Sequence, residues 1–269
     1  MNLVDGDTAW RRRIQTILEH GHAVSPRKQP TTEILFEAPL TLDMARPVVT
    51  TPERKLNYRF MCAEALWILS GDNKLAPLTR FVKRMAEFSD DGETLFGAYG
   101  PPITDQLPYI LEALLRDRDT RQAVLTIWRQ NPPRSKDIPC TVAMSFIIRE
   151  GLLHQHVFMR SSDIWLGVPY DMFSFACIGL WVVCHYNATL VTGDEAILPG
   201  ALSISMVSSH LYERNRKAAE EVLMSTTSTP IQPVPEREVR EGNWQALELD
   251  LITQRDLTAV EPRYWRVRP

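Results

Sequence analysis

Four short stretches of this sequence carry residues that could do chemistry. Asp137-Ile138-Pro139-Cys140-Thr141 sets a proline before a cysteine at the start of an apolar strand pattern, which fixes the backbone and presents a thiol at a strand end. A thiolate there would be a nucleophile. The plainer alternative is a buried structural thiol, since free cysteine is among the most buried residue types. Arg160-Ser161-Ser162-Asp163-Ile164-Trp165-Leu166-Gly167-Val168-Pro169-Tyr170-Asp171 places one cation, two hydroxyls and two carboxylates between a strand pattern and a helix pattern. Loops held by rigid elements often carry function; alternatively, Asp171 simply caps the helix that follows. Ser208-Ser209-His210-Leu211-Tyr212 gathers hydroxyl, imidazole and phenol after a strand, although a lone histidine is more often structural than catalytic. Glu64 stands within the apolar pattern MCAEALWILSG. A buried carboxylate costs several kcal/mol unless it is partnered or protonated. Glu64 is therefore either on the solvent side of its helix or a functional acid or base.

Other chemistries leave no trace. His20 and His22 read as a solvated helix end, and His154 and His156 share one strand face with no third ligand at useful spacing, so no metal site is expected. No glycine-rich phosphate loop and no G-x-S-x-G elbow occurs.

The elements that must position these residues follow from periodicity. Residues 8–21 form an amphipathic helix with Trp10, Ile14, Ile17 and Leu18 on one face and Gly21 as its stop. Residues 32–37 read as a strand, 55–70 as a buried helix and 105–117 as another helix. Gln122–Arg129 is a strand rich in β-branched residues, and 141–149 and 152–159 are strands joined at Glu150-Gly151. A helix over 171–188, a strand over 201–208 and a Pro-rich loop over 228–238 complete the set. The order is that of an α+β protein with one substantial sheet.

Composition sets the bounds. The 269 residues fit a single domain, 1–269, long enough to bury a core without disulfide or metal staples. Thirty basic side chains against 33 acidic ones, a net charge of −3, argue against a dedicated nucleic-acid binder but leave room for a small anionic ligand. The longest apolar run, Phe173 to His185, falls short of the ~18 residues of a membrane span. The N-terminus lacks the apolar stretch of a secretory signal. Four cysteines without a CxxC pair point to free thiols in a reducing cytoplasm.

Taken in order, EALWILSGDN from Glu64, PCT around Cys140, RSSDIWLGVPYD from Arg160 and SSHLY at 208–212 resemble the thymidylate synthase superfamily across roughly residues 10–215. The resemblance implies a large mixed sheet covered by helices and a homodimer formed through that sheet. It also implies a reaction: a cysteine thiolate adds to carbon 6 of a pyrimidine nucleoside monophosphate, and carbon 5 then takes a one-carbon unit from 5,10-methylenetetrahydrofolate, with no metal. By resemblance Cys140 is the nucleophile, and Glu64 organises proton transfer. Tyr99 is the active-site tyrosine, and Asp163 binds the pterin. His210 and Tyr212 hold the sugar hydroxyl. Arg27, Arg160 and Ser161 touch the phosphate, Arg160 also lowering the thiol pKa, and Arg121 reaches the partner subunit's site.

The departures from the family pattern are specific. Asparagine usually stands where Asp171 is, reading uracil by accepting from N3–H and donating to O4. Cytosine inverts both positions. A carboxylate accepts from its amino group, and from N3–H when that nitrogen is protonated. Mispaired buried polar groups can cost a factor of up to about 10⁴ in selectivity. This swap is similar to the cytidylate and deoxycytidylate 5-hydroxymethylases. Thr141 replaces the usual histidine after the cysteine, Phe96–Ile103 lacks the tryptophans that shield the folate side, and Gln122 replaces a second arginine. The expected activity is therefore hydroxymethylation of a cytidine nucleotide. Its rivals are a cytidylate methylase, a dUMP-acting synthase or hydroxymethylase, a Cys–His hydrolase, and a non-catalytic nucleotide- or RNA-binding paralogue.

Overall fold

The computed structural model describes residues 2–191, 193–226 and 232–256. Helix α1 (Gly6–His20) starts where the Asp5 carboxylate accepts from the Thr8 amide at 2.7 Å and stops at Gly21, as its spacing predicts. Three short strands follow: β1 (His22–Val24), β2 (Thr31–Leu35) and β3 (Leu40–Asp43). Helix α2 (Tyr58–Leu69) is capped by Asn57, and the single turn α3 (Ala76–Thr79) leads towards α4 (Gly100–Arg116). Strands β4 (Val124–Thr126), β5 (Thr141–Arg149) and β6 (Leu152–Asp163) precede the central helix α5 (Val168–Ala188) and the long strand β7 (Leu198–Tyr212). Helices α6 (Arg216–Met224), α7 (Glu236–Arg240) and α8 (Trp244–Asp256) close the described chain.

The strands make one mixed sheet in the order β1-β2-β7-β6-β5-β4, with β3 pairing the start of β7. The β6–β7 pair is parallel and needs a crossover, which α5 supplies. The β5–β6 turn is the expected Glu150-Gly151, both at positive φ (52° and 75°) as the tightest hairpins require. The sheet's inner face and the helices share a core whose largest fully buried side chains include Trp10, Phe146, Phe173 and Phe175. All four cysteines are free thiols.

The differences from the sequence reading have local causes. The pattern at 105–117 begins five residues earlier, because Pro101 and Pro102 occupy the first helical turn, where no amide donor is needed. Gln122–Arg129 shrinks to three residues, because the Ile127 and Trp128 amides both turn to the Val142 carbonyl beside a bulge in β5. Strand 32–37 ends at Leu35, with Phe36 at φ 53°. The two strands that matter most are longer than expected: β6 runs on through Asp163, and β7 starts at Leu198 and ends at Tyr212. Of the proposed loop 228–238, residues 236–238 begin α7 and residues 228–231 lie outside the described residues, as does the RYWRVRP terminus. The apolar run at Phe173 belongs to a 21-residue helix, long and apolar enough to cross a membrane. Most of it is buried against this protein's own core.

The turn 164–167, between β6 and α5, is held from a distance. The Trp10 indole donates to the Ile164 carbonyl at 2.6 Å, and the Arg54 guanidinium donates twice to the Trp165 carbonyl, at 3.1 and 2.6 Å. The same guanidinium lies 4.8 Å over the Trp165 ring, which packs 5.7 Å from Trp10. Trp10→Phe leaves a buried carbonyl without its donor, so unfolding in urea should show a loss of about 1–3 kcal/mol. A change below about 0.5 kcal/mol, the range of neutral surface substitutions, would mean that the clamp carries no weight.

Candidate active site

Cys140 sits just before β5, half-buried, where three neighbours fix it. The Gly97 amide donates to Asp137 Oδ2 at 2.8 Å, and a Cβ on Gly97 would stand 2.6 Å from the Asp137 carbonyl. Only glycine allows this approach, which draws residues 97–99 against residues 137–140. The Thr141 amide then donates to the Tyr99 hydroxyl at 3.3 Å, and the Tyr99 ring stacks on Phe175. Across the hairpin, the Arg160 amide donates to the Cys140 carbonyl at 2.9 Å. Its guanidinium donates to the carbonyls of Pro139 (3.0 Å) and Ile138 (2.8 Å) and lies 5.9 Å from the Trp128 ring.

Arg160 does pull the Cys140 thiol towards ionisation, and Arg27 adds to it. Burial is the largest effect, however, and with the charges of Asp171 and Asp137 it leaves the thiol above its ordinary value. The expectation that arginine would lower the thiol pKa holds for Arg160's own contribution and fails for the sum.

The carboxylates behave alike. Burial first, then the charge of Asp171, pushes Glu64 up to about 8. Glu64 is half-buried on α2, with its carboxyl shifted towards the neutral form. Asp171 is raised to about 6 by burial and by Asp163, while a hydrogen bond from the Ser162 hydroxyl at 3.3 Å works the other way. The cap of α5 is Gly167, so Asp171 lies inside the first turn and does not cap the helix. Burial, with the charges of Asp171 and Cys140, also raises Tyr99 well above its usual value.

The parallel register sets Ser161 beside Ser208, Ser162 beside Ser209 and Asp163 beside His210. Asp163 Oδ1 accepts from the amides of Trp165 (2.8 Å) and Leu166 (2.9 Å), while its buried Oδ2 has no partner. Burial raises Asp163 and lowers His210, each opposing the other's shift. His210 Nδ1 lies 3.3 Å from the Ser161 hydroxyl, and its ring meets Tyr212 edge-on. Arg27, exposed in the turn after β1 with φ 51°, donates to the Tyr212 hydroxyl at 3.5 Å.

Ten of the eleven residues expected at the site are thus linked by contacts or by charge. Arg121 stands apart. It is exposed ahead of β4, where the Ala123 carbonyl meets the Phe146 amide, six strand residues beyond Cys140 and on the order of 20 Å away. Sequence reasoning missed the roles of Asp137, Trp128 and Arg54, and left Ser162 unassigned. Asp137 and Ser162 lay inside the motifs; Trp128 and Arg54 gave no local signal. His154 accepts from the Ala201 amide and His156 pairs with the Ser205 hydroxyl. Among the described residues no group of three His, Cys, Asp or Glu is placed to hold a metal.

A family model described as thymidylate synthase matches residues 8–260. The chain belongs to the thymidylate synthase family. It is similar to a deoxyuridylate hydroxymethyltransferase of Pseudomonas phage M6, 40% identical over 144 residues, or 49% of this chain and 41% of that protein. It is similar also to the deoxyuridylate hydroxymethyltransferase of Bacillus phage SP01, 32% identical over 178 residues, or 57% of this chain and 45% of that protein. The chain spans less than half the length of these curated relatives. The thymidylate synthase family uses methylenetetrahydrofolate as co-substrate. The orphaned, buried Asp163 Oδ2 is an acceptor suited to the N–H donors of a pterin.

The raised Glu64 pKa has a sign that can be checked. The folded state holds a proton that the unfolded chain releases near 4.5, so stability is greatest below that pH and falls as pH rises to about 8. Glu64→Gln removes this slope and should be more stable than the wild type by roughly 2–4 kcal/mol at pH 9. Denaturant midpoints from pH 4 to 9 test it; parallel curves for the two proteins would refute the assignment.

Proposed function

We propose that the protein transfers a one-carbon unit to carbon 5 of a cytidine nucleotide, CMP or dCMP, and completes it as a hydroxymethyl group. The observation that carries this reading is the placement of Asp171. Its carboxylate lies inside the first turn of α5, tied to Ser162 and close enough to Cys140, Tyr99 and Glu64 for its charge to act on all three. With a pKa of about 6 it is mostly ionised at neutral pH and acts as an acceptor, the pattern that suits a cytosine amino group.

In this reading the Cys140 thiolate bonds to carbon 6, and the displaced electron pair makes carbon 5 nucleophilic. The folate supplies the one-carbon unit. Carbon 5 bonds to that carbon; loss of the carbon 5 proton, towards the side where Glu64 and Tyr99 stand, then breaks the bond from that carbon to the folate nitrogen and frees tetrahydrofolate. The nucleotide is left with an exocyclic methylene. Water adds to the methylene carbon and loses a proton, and the electrons returned to the ring expel Cys140 from carbon 6. The net gain is CH₂O, with tetrahydrofolate released. Arg160, Arg27 and Ser161 bind the phosphate through charge-assisted hydrogen bonds. His210 and Tyr212 hold the sugar, and Asp163 takes the pterin. Arg121 completes a neighbouring subunit's site in a homodimer formed through the sheet. Thr141 and the tryptophan-free wall at Phe96–Ile103 support hydration over reduction, as do the names of the two phage relatives.

Those names also favour a second reading, in which deoxyuridylate is the substrate. One panel separates the two. The protein is incubated with methylenetetrahydrofolate and CMP, dCMP, UMP or dUMP, and the products are weighed. A gain of CH₂O on a cytidine nucleotide, abolished in Cys140→Ser, is the expected outcome. Product from the uridine tubes alone would overturn the role of Asp171, and a gain of CH₂ would overturn hydration. Asp171→Asn should move the preference towards uridine nucleotides by at least tenfold.

A further inference from the structure

We propose that Ser162 is a specificity-determining positioning residue: its buried hydroxyl donates to Asp171 Oδ2 and keeps that carboxylate an acceptor turned towards the base, so that losing the hydroxyl relaxes discrimination against uracil. The inference rests on the reading of Asp171 as the residue that meets the base.

The geometry is built, not incidental. Ser162 is 3% exposed and lies at the end of β6, where the ladder to Ser209 fixes its backbone. Its Oγ is 3.3 Å from Asp171 Oδ2. Gly167 encloses the same oxygen: the Asp171 amide donates to its carbonyl at 3.0 Å, and a Cβ on it would stand 3.3 Å from Oδ2 and 3.8 Å from Ser162 Oγ. Oδ2 is thus occupied by the protein, and Oδ1 is left for a ligand.

The hydroxyl also decides the charge. The groups whose charges couple with Asp171 are Glu64 from α2, Tyr99 from the segment before α4, Cys140 from the segment before β5 and Asp163 from β6. Each of them is acidic. Burial and Asp163 favour the neutral carboxyl, and the Ser162 hydrogen bond is the one interaction that favours the carboxylate. A carboxylate accepts from the amino group of cytosine and repels O4 of uracil. A neutral carboxyl carries one donor and one acceptor, and it fits the N3–H and O4 edge of uracil as readily as the cytosine edge. The proton on Asp171, and not only the residue type, therefore sets the base, and Ser162 biases that proton.

The test uses Ser162→Ala, with Ser162→Thr as the variant that keeps a hydroxyl. Equilibrium binding of dCMP and dUMP is measured by calorimetry from pH 5 to 8 without folate, and kcat/KM is measured with it. In the alanine variant the dUMP-to-dCMP binding ratio at pH 7 should rise about tenfold, and the acidic limb of dCMP binding should move up by roughly one pH unit. The threonine variant should return both towards wild type. Equal weakening of both nucleotides with an unmoved limb would reduce Ser162 to packing and overturn the proposal. A wild type that binds dUMP more tightly than dCMP at pH 7 would overturn the base-reading role of Asp171 itself. Because binding is read without one-carbon transfer, that failure is distinct from a failure of catalysis.

Discussion

The parallel pairing of β6 with β7 is the constraint on which the site depends. Two stretches 47 residues apart are brought together because Ser161, Ser162 and Asp163 lie beside Ser208, Ser209 and His210, the first and third pairs on one face of the sheet and Ser162 with Ser209 on the other. Side chains alternate along a strand, so a slip of one residue would turn each of these groups to the other face. The long α5 crossover fixes that pairing and carries Asp171 in its first turn, next to Ser162. The tight Glu150-Gly151 turn then lays β5 along β6, and Cys140 arrives beside Arg160.

This assembly concentrates acidic groups where water is scarce. Glu64, Asp171, Asp163, Asp137 and Tyr99 are all shifted towards their neutral forms, with burial the first cause in every case. Such a cluster opposes folding, because the charged forms lose solvation that the unfolded chain would keep. The clamp on residues 164–167 offsets this locally. Trp10 and Arg54 supply donors to two backbone carbonyls, and Arg54 brings a positive charge that interacts with Asp163. Both lie more than a hundred residues before the carbonyls they hold, so the support for this turn comes from outside the segment that carries it.

Much of this was legible in the residues. The hairpin at Glu150-Gly151 is written in two adjacent positions, and the amphipathic α1 with its Gly21 stop in fifteen. The motifs around Glu64, Cys140, Arg160 and His210 named the candidate residues before any geometry. Strand ends were less legible. Arg160–Asp163 and Ser209–Tyr212 are largely polar runs that lay outside the expected strands, yet they are strand, because they pair with each other and with β2. The tryptophan and arginine clamp was illegible, since nothing near Trp10 or Arg54 marks a contact more than a hundred residues away. The sign of the Cys140 shift was illegible for a different reason: a sequence counts charges, and burial decides the sum.

The same limit governs what the phage relatives can say about substrate. Their names specify deoxyuridylate, and an amide at the reading position would suit that base through one fixed donor and one fixed acceptor. A carboxyl has no fixed pattern. It is an acceptor when ionised and both donor and acceptor when neutral, and at a pKa of about 6 the balance lies close to physiological pH. In the proposed reading the identity of residue 171 is therefore only half of the specificity. The other half is the surroundings that place the proton: Ser162 and Gly167 around one oxygen, and Glu64, shifted towards its neutral form, near the carboxylate. Burial and the charge of Asp171 shift Glu64 towards its neutral form, and a neutral neighbour lets Asp171 stay charged. In the proposed chemistry this pairing gives one group to the base and one to proton transfer.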